Sequence, residues 1–368
     1  MSQHVAFALL LGLLIPGWGQ GQCTVPFISS LDRLMLFHDG RFVEVDPRPP
    51  QRMCPRSSGV FFVDHQGRLC VYDIHAPGTN VVATHADEVQ ASGDQVAWRV
   101  ADTLMTLRGA TPVVLSTGVV RFQVSDSLVV FVDTMAHELA TSWRGQRIPL
   151  ATVAPGTTGP QWVQGANTVT FFDHSQRRSS FFHHGAERTL APHTDVGSAV
   201  NGNDIVGYWD EANGAFMGQW NDATVRLSGM RPVSAQAGDG LLAFVDGTWR
   251  LKAWRGAEAV LLTDGMPTQY WVQDRVLLYL WQERLMLWSA NGPVAVADHV
   301  PERWVVSGDR VVYLDLNREL HEVRTDGTRK HLVREPGITR FAVNGDAVVH
   351  DSPAGGTVVV CEGHRYSY

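Results

Sequence analysis

Residues 237–256 read AGDGLLAFVDGTWRLKAWRG, and this stretch sets out the plan of the fold. The turn Ala237-Gly238-Asp239 opens an apolar run that ends at Asp246. Gly247-Thr248 reverses the chain, a second run ends at Trp254, and Arg255-Gly256 reverses it again. Gly, Asn and Asp at such places supply the positive φ that a tight hairpin needs, so consecutive runs fold back antiparallel. The same phrase recurs as Gly202-Asn203-Asp204 before IVGYWD, Ser307-Gly308-Asp309 before RVVYLD and Asn344-Gly345-Asp346 before AVVHD.

Anchored on the turn residue, the units begin at Ser58, Asp94, Asp126, Asn167, Asp204, Asp239, Asp274, Asp309 and Asp346, a mean step of about 36 residues. A second set of turns keeps the same period: Phe37 before Gly40, Trp143 before Gly145, Phe182 before Gly185, Trp254 before Gly256, Trp288 before Gly292. RLMLFHDGRFVEVD (33–46) and RLMLWSANGPVAVAD (284–298) are two copies of one half-unit. Four strands of about five residues, with their turns, fill this period. A lone four-stranded meander cannot bury both faces, so neighbouring units must stack, and closing the stack radially shields the strand edges. The expected fold is all-β, a β-propeller of nine to ten four-stranded blades. The alternative is two smaller propellers divided at residues 154–160 (APGTTGP). The first unit is short, because residues 23–32 leave little room for two strands. Trp143, Phe182, Trp220, Trp254 and Trp288 share one position in the repeat and are expected to pack blade against blade. The Asp closing the second strand of a unit (Asp64, Asp133, Asp173, Asp210, Asp246, Asp315, Asp351) is expected to cap its turn through its carboxylate.

Composition narrows the functional classes. The chain has 368 residues, 44% apolar and 18% charged, with a net charge of −7, the wrong sign for a nucleic-acid binder. Lys252 and Lys330 are its two lysines, so there is no polybasic membrane patch. Residues 5–16 (VAFALLLGLLIP) are too short to span a bilayer and fit the apolar core of a signal peptide, although no Lys or Arg precedes them. The expected division is a signal peptide over 1–22 and a propeller over 23–368, giving a secreted or periplasmic protein with no stable membrane insertion. Cys23, Cys54, Cys70 and Cys361 suit an oxidising compartment and allow three pairings. A bridge from an early cysteine to Cys361 would tie the chain ends together.

Units such as Gly93-Asp94-QVAWRV and Gly238-Asp239-GLLAFVD resemble the WD40-like repeats of TolB-type propellers. The proline of that family's turn is absent from these units. The resemblance implies an exported binding scaffold and transfers no functional residue.

Catalytic motifs are absent. There is no phosphate loop, zinc helix, EF-hand or nucleophile elbow, and Arg147-Ile148-Pro149 matches a sialidase fragment without the rest of its pattern. No cofactor or metal is expected. His174, His183, His184 and His193 form the densest histidine group, but neighbours on a strand point to opposite faces, which separates His183 from His184. The site chosen from sequence is the face formed by loops between second and third strands. There the basic loop with His174, Arg177 and Arg178 adjoins the acidic loop with Asp210 and Glu211. The expected function is a non-catalytic scaffold for an unidentified protein or glycan. One alternative is a glycan-acting enzyme using Asp133, Glu138 and Asp210 as acid/base groups; another is a structural module of the cell envelope.

Overall fold

A computed structural model describes residues 23–157, 159–191, 194–221 and 223–368. The expected signal peptide lies outside them. Ten antiparallel sheets follow one another in chain order, nine with four strands and the first with three among the described residues. They span residues 24–46, 52–83, 88–116, 119–152, 162–189, 200–228, 234–261, 269–295, 304–333 and 341–367, and are called blades one to ten. The one helical element among the described residues is the 3-10 turn Val196–Ser198. No described helix is long and apolar enough to cross a membrane.

Each blade packs on both faces, which explains why its central strands are continuous apolar runs rather than alternating ones. In blade four, Leu128, Val130 and Val132 pack with Val169, Phe171 and Phe182 of blade five. The intervening Val129 and Phe131 pack with Ala97 and Leu104 of blade three. Residues 154–160 therefore join two blades that share a core, and the array does not split there into two propellers. The repeated aromatics pack blade against blade: Trp143 meets Phe182 edge-on at 6.5 Å, and Trp220 meets Trp254 at 6.4 Å. Trp220 also covers Gly256, whose φ of +78° closes the last turn of blade seven.

The ring closes between blades ten and one. Cys23, just before the strand Thr24–Ile28, is bridged to Cys361, which ends the third strand of blade ten. Beside this bridge Asn344 Nδ2 donates to the Thr24 carbonyl at 2.8 Å, and the Phe37 and Tyr366 rings lie 4.8 Å apart. Cys54 and Cys70, the other disulfide candidates, are free thiols. They sit on the first and third strands of blade two with Phe61 and Phe62 between them, so they cannot meet. Burial pushes the Cys70 thiol up to about 11. A buried ion pair, Arg310 Nη1 to Glu322 Oε2 at 2.8 Å, ties two strands of blade nine, and Arg310 also donates to the Gly345 carbonyl of blade ten.

Candidate functional site

Strand alternation sends the first and third turns of every blade to one end of the ring, and the second turns and inter-blade connections to the other. First strands of consecutive blades touch one another and line the axis. At the first-turn end the turns are chained by backbone hydrogen bonds: Ser127 N to Ala166 O at 3.3 Å, Asn203 N to Gly238 O at 2.9 Å, Asp239 N to Asp274 O at 2.6 Å, Arg275 N to Gly308 O at 3.2 Å. The result is an axial mouth with a cavity of about 890 Å³ bordered by turns of blades three to nine.

The recurring turn aspartates thus converge on the axis, and most are held by the preceding blade. Ser57 Oγ donates to Asp94, Ser92 Oγ to Asp126 at 2.5 Å, Asn167 Nδ2 to Asp204 at 2.5 Å and Asn203 Nδ2 to Asp239 at 2.8 Å. Several are also neutralised. Arg56 lies 3.6 Å from Asp94, Arg275 lies 2.7 Å from Asp239, and Arg324 reaches Asp309 at 3.4 Å and Asp346 at 3.7 Å. Asp126 and Asp274 have no ion-pair partner among the described residues. Burial pushes the Asp274 carboxyl above its usual range, helped by the charges of Asp126 and Asp239 and opposed by the hydrogen bond from the Gly308 amide and by the Arg275 charge. Trp143, with the Arg144 guanidinium 4.4 Å over its ring, and His184 form another part of the wall.

The histidine geometry departs from the alternation rule. His183 ends a strand, but His184 belongs to the following turn with φ +49°, so both rings face one way. They stack at 3.9 Å, with Nε2 of His183 and His184 at 2.8 and 3.3 Å from the same oxygen of Asp204. Burial opposes ionisation of Asp204, yet hydrogen bonds from His183 and Asn167 outweigh it and hold its carboxyl below the usual range. His174 stands apart, edge-on to Phe172 at 4.8 Å, and His193 lies outside the described residues.

The loops chosen from sequence lie on the face opposite the mouth. Asp210 is 2% exposed, and its carboxylate accepts the Ala212 and Asn213 amides and Asn213 Nδ2. Glu211 pairs with Arg231 at 3.3 Å and Arg178 with Glu187 at 2.7 Å. Arg177 is a turn residue with φ +51°. The charges of Arg178, Asp210 and Glu211 thus meet other groups, and the structure records no contact between Arg177 or Arg178 and Asp210 or Glu211. Turn-capping carboxylates recur at Asp64, Asp133, Asp173, Asp246 and Asp315, whereas Asp351 accepts the amides of Thr339 and Arg340, which precede its blade. Asp133 and Glu138 come together, at 3.2 and 2.9 Å from one nitrogen of Arg147. Burial opposes ionisation of Asp133, but hydrogen bonds from Ser116 and the Ala136 amide, with the Arg147 charge, hold its carboxyl low. A carboxylate so held is a poor proton donor.

Sequence reading recognised Asp126 and Asp274 as turn anchors but not as neighbours across an axis. The available signal was that every blade places its first turn at the same end, so residues repeated there must converge.

A family model described as a 10-bladed beta propeller domain matches residues 19–366. No curated protein matches the chain. Among solved structures, the computationally designed Ika8 protein is 13% identical, with 74% of this chain and 95% of that chain covered and a TM-score of 0.30. Apo AztD from Citrobacter koseri is 14% identical, with 71% and 90% covered and a TM-score of 0.34. Prp20p from Saccharomyces cerevisiae is 9% identical, with 54% and 69% covered and a TM-score of 0.31.

Proposed function

The chain belongs to the 10-bladed β-propeller domain family, and on that footing we propose that it is an exported, non-catalytic scaffold that binds a basic segment of a partner protein at the axial mouth. The observation that carries this reading is the pair Asp126 and Asp274. They come from blades four and eight, share one cavity and lack a cation of their own among the described residues. The charge of Asp126 opposes ionisation of Asp274, the Arg275 charge offsets this only in part, and an incoming ammonium or guanidinium would relieve it further. Export is supported by the apolar run 5–16 and by the Cys23–Cys361 bridge, a bond that persists in oxidising compartments.

An acid/base role for Asp133, Glu138 and Asp210 finds little support, because Arg147 neutralises the first two and the turn amides engage the third. The test is binding of an arginine-rich peptide and of a neutral oligosaccharide to the whole chain, before and after the double change D126N/D274N. Peptide binding should weaken at least about tenfold in the variant and fall with salt. Equal peptide affinity in both proteins, or a preference for the neutral sugar, would overturn the proposal.

A further inference from the structure

Blade nine departs from its neighbours along one row of side chains. In blade six the row runs Tyr208, Met217, Arg226 across three strands, and in blade eight it runs Tyr279, Met286, Ala295. In blade nine it runs Tyr313, His321, His331. The three rings stack, with centroids 5.3 Å apart from Tyr313 to His321 and 4.2 Å from His321 to His331, nearly parallel at 19° and 16°. Methionine serves this rung in blades six and eight, and blades four and seven carry Ala140 and Lys252 there, so packing alone does not call for imidazole.

Two carboxylates complete the group. Asp315, two residues beyond Tyr313, places Oδ2 3.2 Å from His321 Nε2. Glu319, two residues before His321, places Oε2 3.0 Å from His331 Nε2. Both lie in the turn between the strands Arg310–Leu314 and Leu320–Arg324, and their contacts place them on the side that carries the histidines. All four side chains are partly buried, between 21% and 25% exposed, which leaves them open to a small solute. Ligand atoms of Glu319, His321 and His331 lie within 4.8 Å of one another.

We propose that Glu319, His321 and His331, with Asp315 as a fourth donor, form a binding site for a divalent transition-metal ion of the zinc type on blade nine. Two imidazoles with carboxylates suit such an ion, whereas calcium and magnesium favour all-oxygen sets. Each imidazole already directs Nε2 at a carboxylate, and a metal ion would take the place of the shared proton. Tetrahedral binding at about 2.1 Å sets donor atoms about 3.4 Å apart, so donors that now lie within 4.8 Å must draw in by up to about 1.4 Å and the stacked rings must turn to aim at one ion. His331 would then give up its 3.1 Å contact with the Val333 carbonyl. The site lies in the outer strands of one blade and does not depend on the axial mouth.

The test uses the full chain after treatment with a chelator, titrated with zinc chloride by calorimetry and with cobalt chloride by visible absorption. One ion is expected at this site, with the intense visible bands of four-coordinate cobalt. H321M, which installs the methionine of blades six and eight, should lower zinc affinity at least about 100-fold, more than loss of an outer-shell contact typically costs. E319Q keeps the shape of the site while removing a charge, and should weaken binding even if H321M melts early. Absence of zinc binding by the unmodified chain, or equal binding by both variants, would overturn the proposal. So would a cobalt spectrum that survives H321M and disappears in H184N, because it would place the ion at the turns of blades five and six.

Discussion

The indole of Trp220 fills the space that a side chain at Gly256 would need: an ideal β-carbon there would lie 1.8 Å from the ring. One blade's aromatic residue thus rests on the next blade's turn, and this turn must be glycine for two reasons, its φ of +78° and the contact itself. The two can be separated, because Gly214 also has positive φ but nothing within 4 Å of its missing β-carbon. G214A should cost about 1 kcal/mol and G256A about 2–4 kcal/mol in urea unfolding. Equal costs would show that the contact between blades six and seven carries no strain.

Closure of the ring rests on the Cys23–Cys361 bridge, whose residues are 338 apart in sequence. The chain-entropy argument gives about 6 kcal/mol for so long a loop. The double change C23S/C361S should lower the urea midpoint accordingly, and a reductant should do the same to the unmodified chain. C54S and C70S should leave the response to reductant unaltered, because those thiols are free.

Asp274 makes stability depend on pH in the direction opposite to that of the turn-capping carboxylates. Its carboxyl is held above the unfolded value, so its favourable contribution is complete below the usual carboxylate range and is lost as pH rises through the folded value. D274N should therefore melt higher than the unmodified chain at pH 7, with the difference vanishing near pH 3. For Asp133 and Asp246, hydrogen bonds overcome burial and hold the folded value low, so their contribution is present near neutrality and is lost in acid.

Arg310 and Glu322 are 4% and 6% exposed at the side chain, and each has a further partner, the Gly345 carbonyl for one and Arg324 for the other. E322A would leave a buried guanidinium short of a counter-charge and should cost about 3–5 kcal/mol. R310M/E322L removes both charges, and its loss should be well below that of E322A in the same denaturation series.

The architecture was legible in the sequence because hairpin turns are local: Gly238-Asp239 or Asn344-Gly345 states its geometry within a few residues. Inter-blade packing of Trp143, Trp220 and Trp254 was legible for the same reason, each being placed by its own repeat. The mouth was not, because Asp126 and Asp274 become neighbours only when the ring closes. The row in blade nine was hidden by register. His321 and His331 face each other through a pairing that shifts between Leu320 and His321, which spacing alone does not reveal. His183 and His184 misled for a simpler reason, since alternation holds inside a strand and stops at the turn where His184 sits.

The bridge between the first and last blades also makes the polypeptide from Cys23 to Cys361 a covalent circle. A protease that cuts one exposed connection would release no fragment, and the nicked molecule would migrate as a single piece until a reductant was added. Two cuts would be needed to free any blade, so limited proteolysis without reductant would leave the molecular mass unchanged.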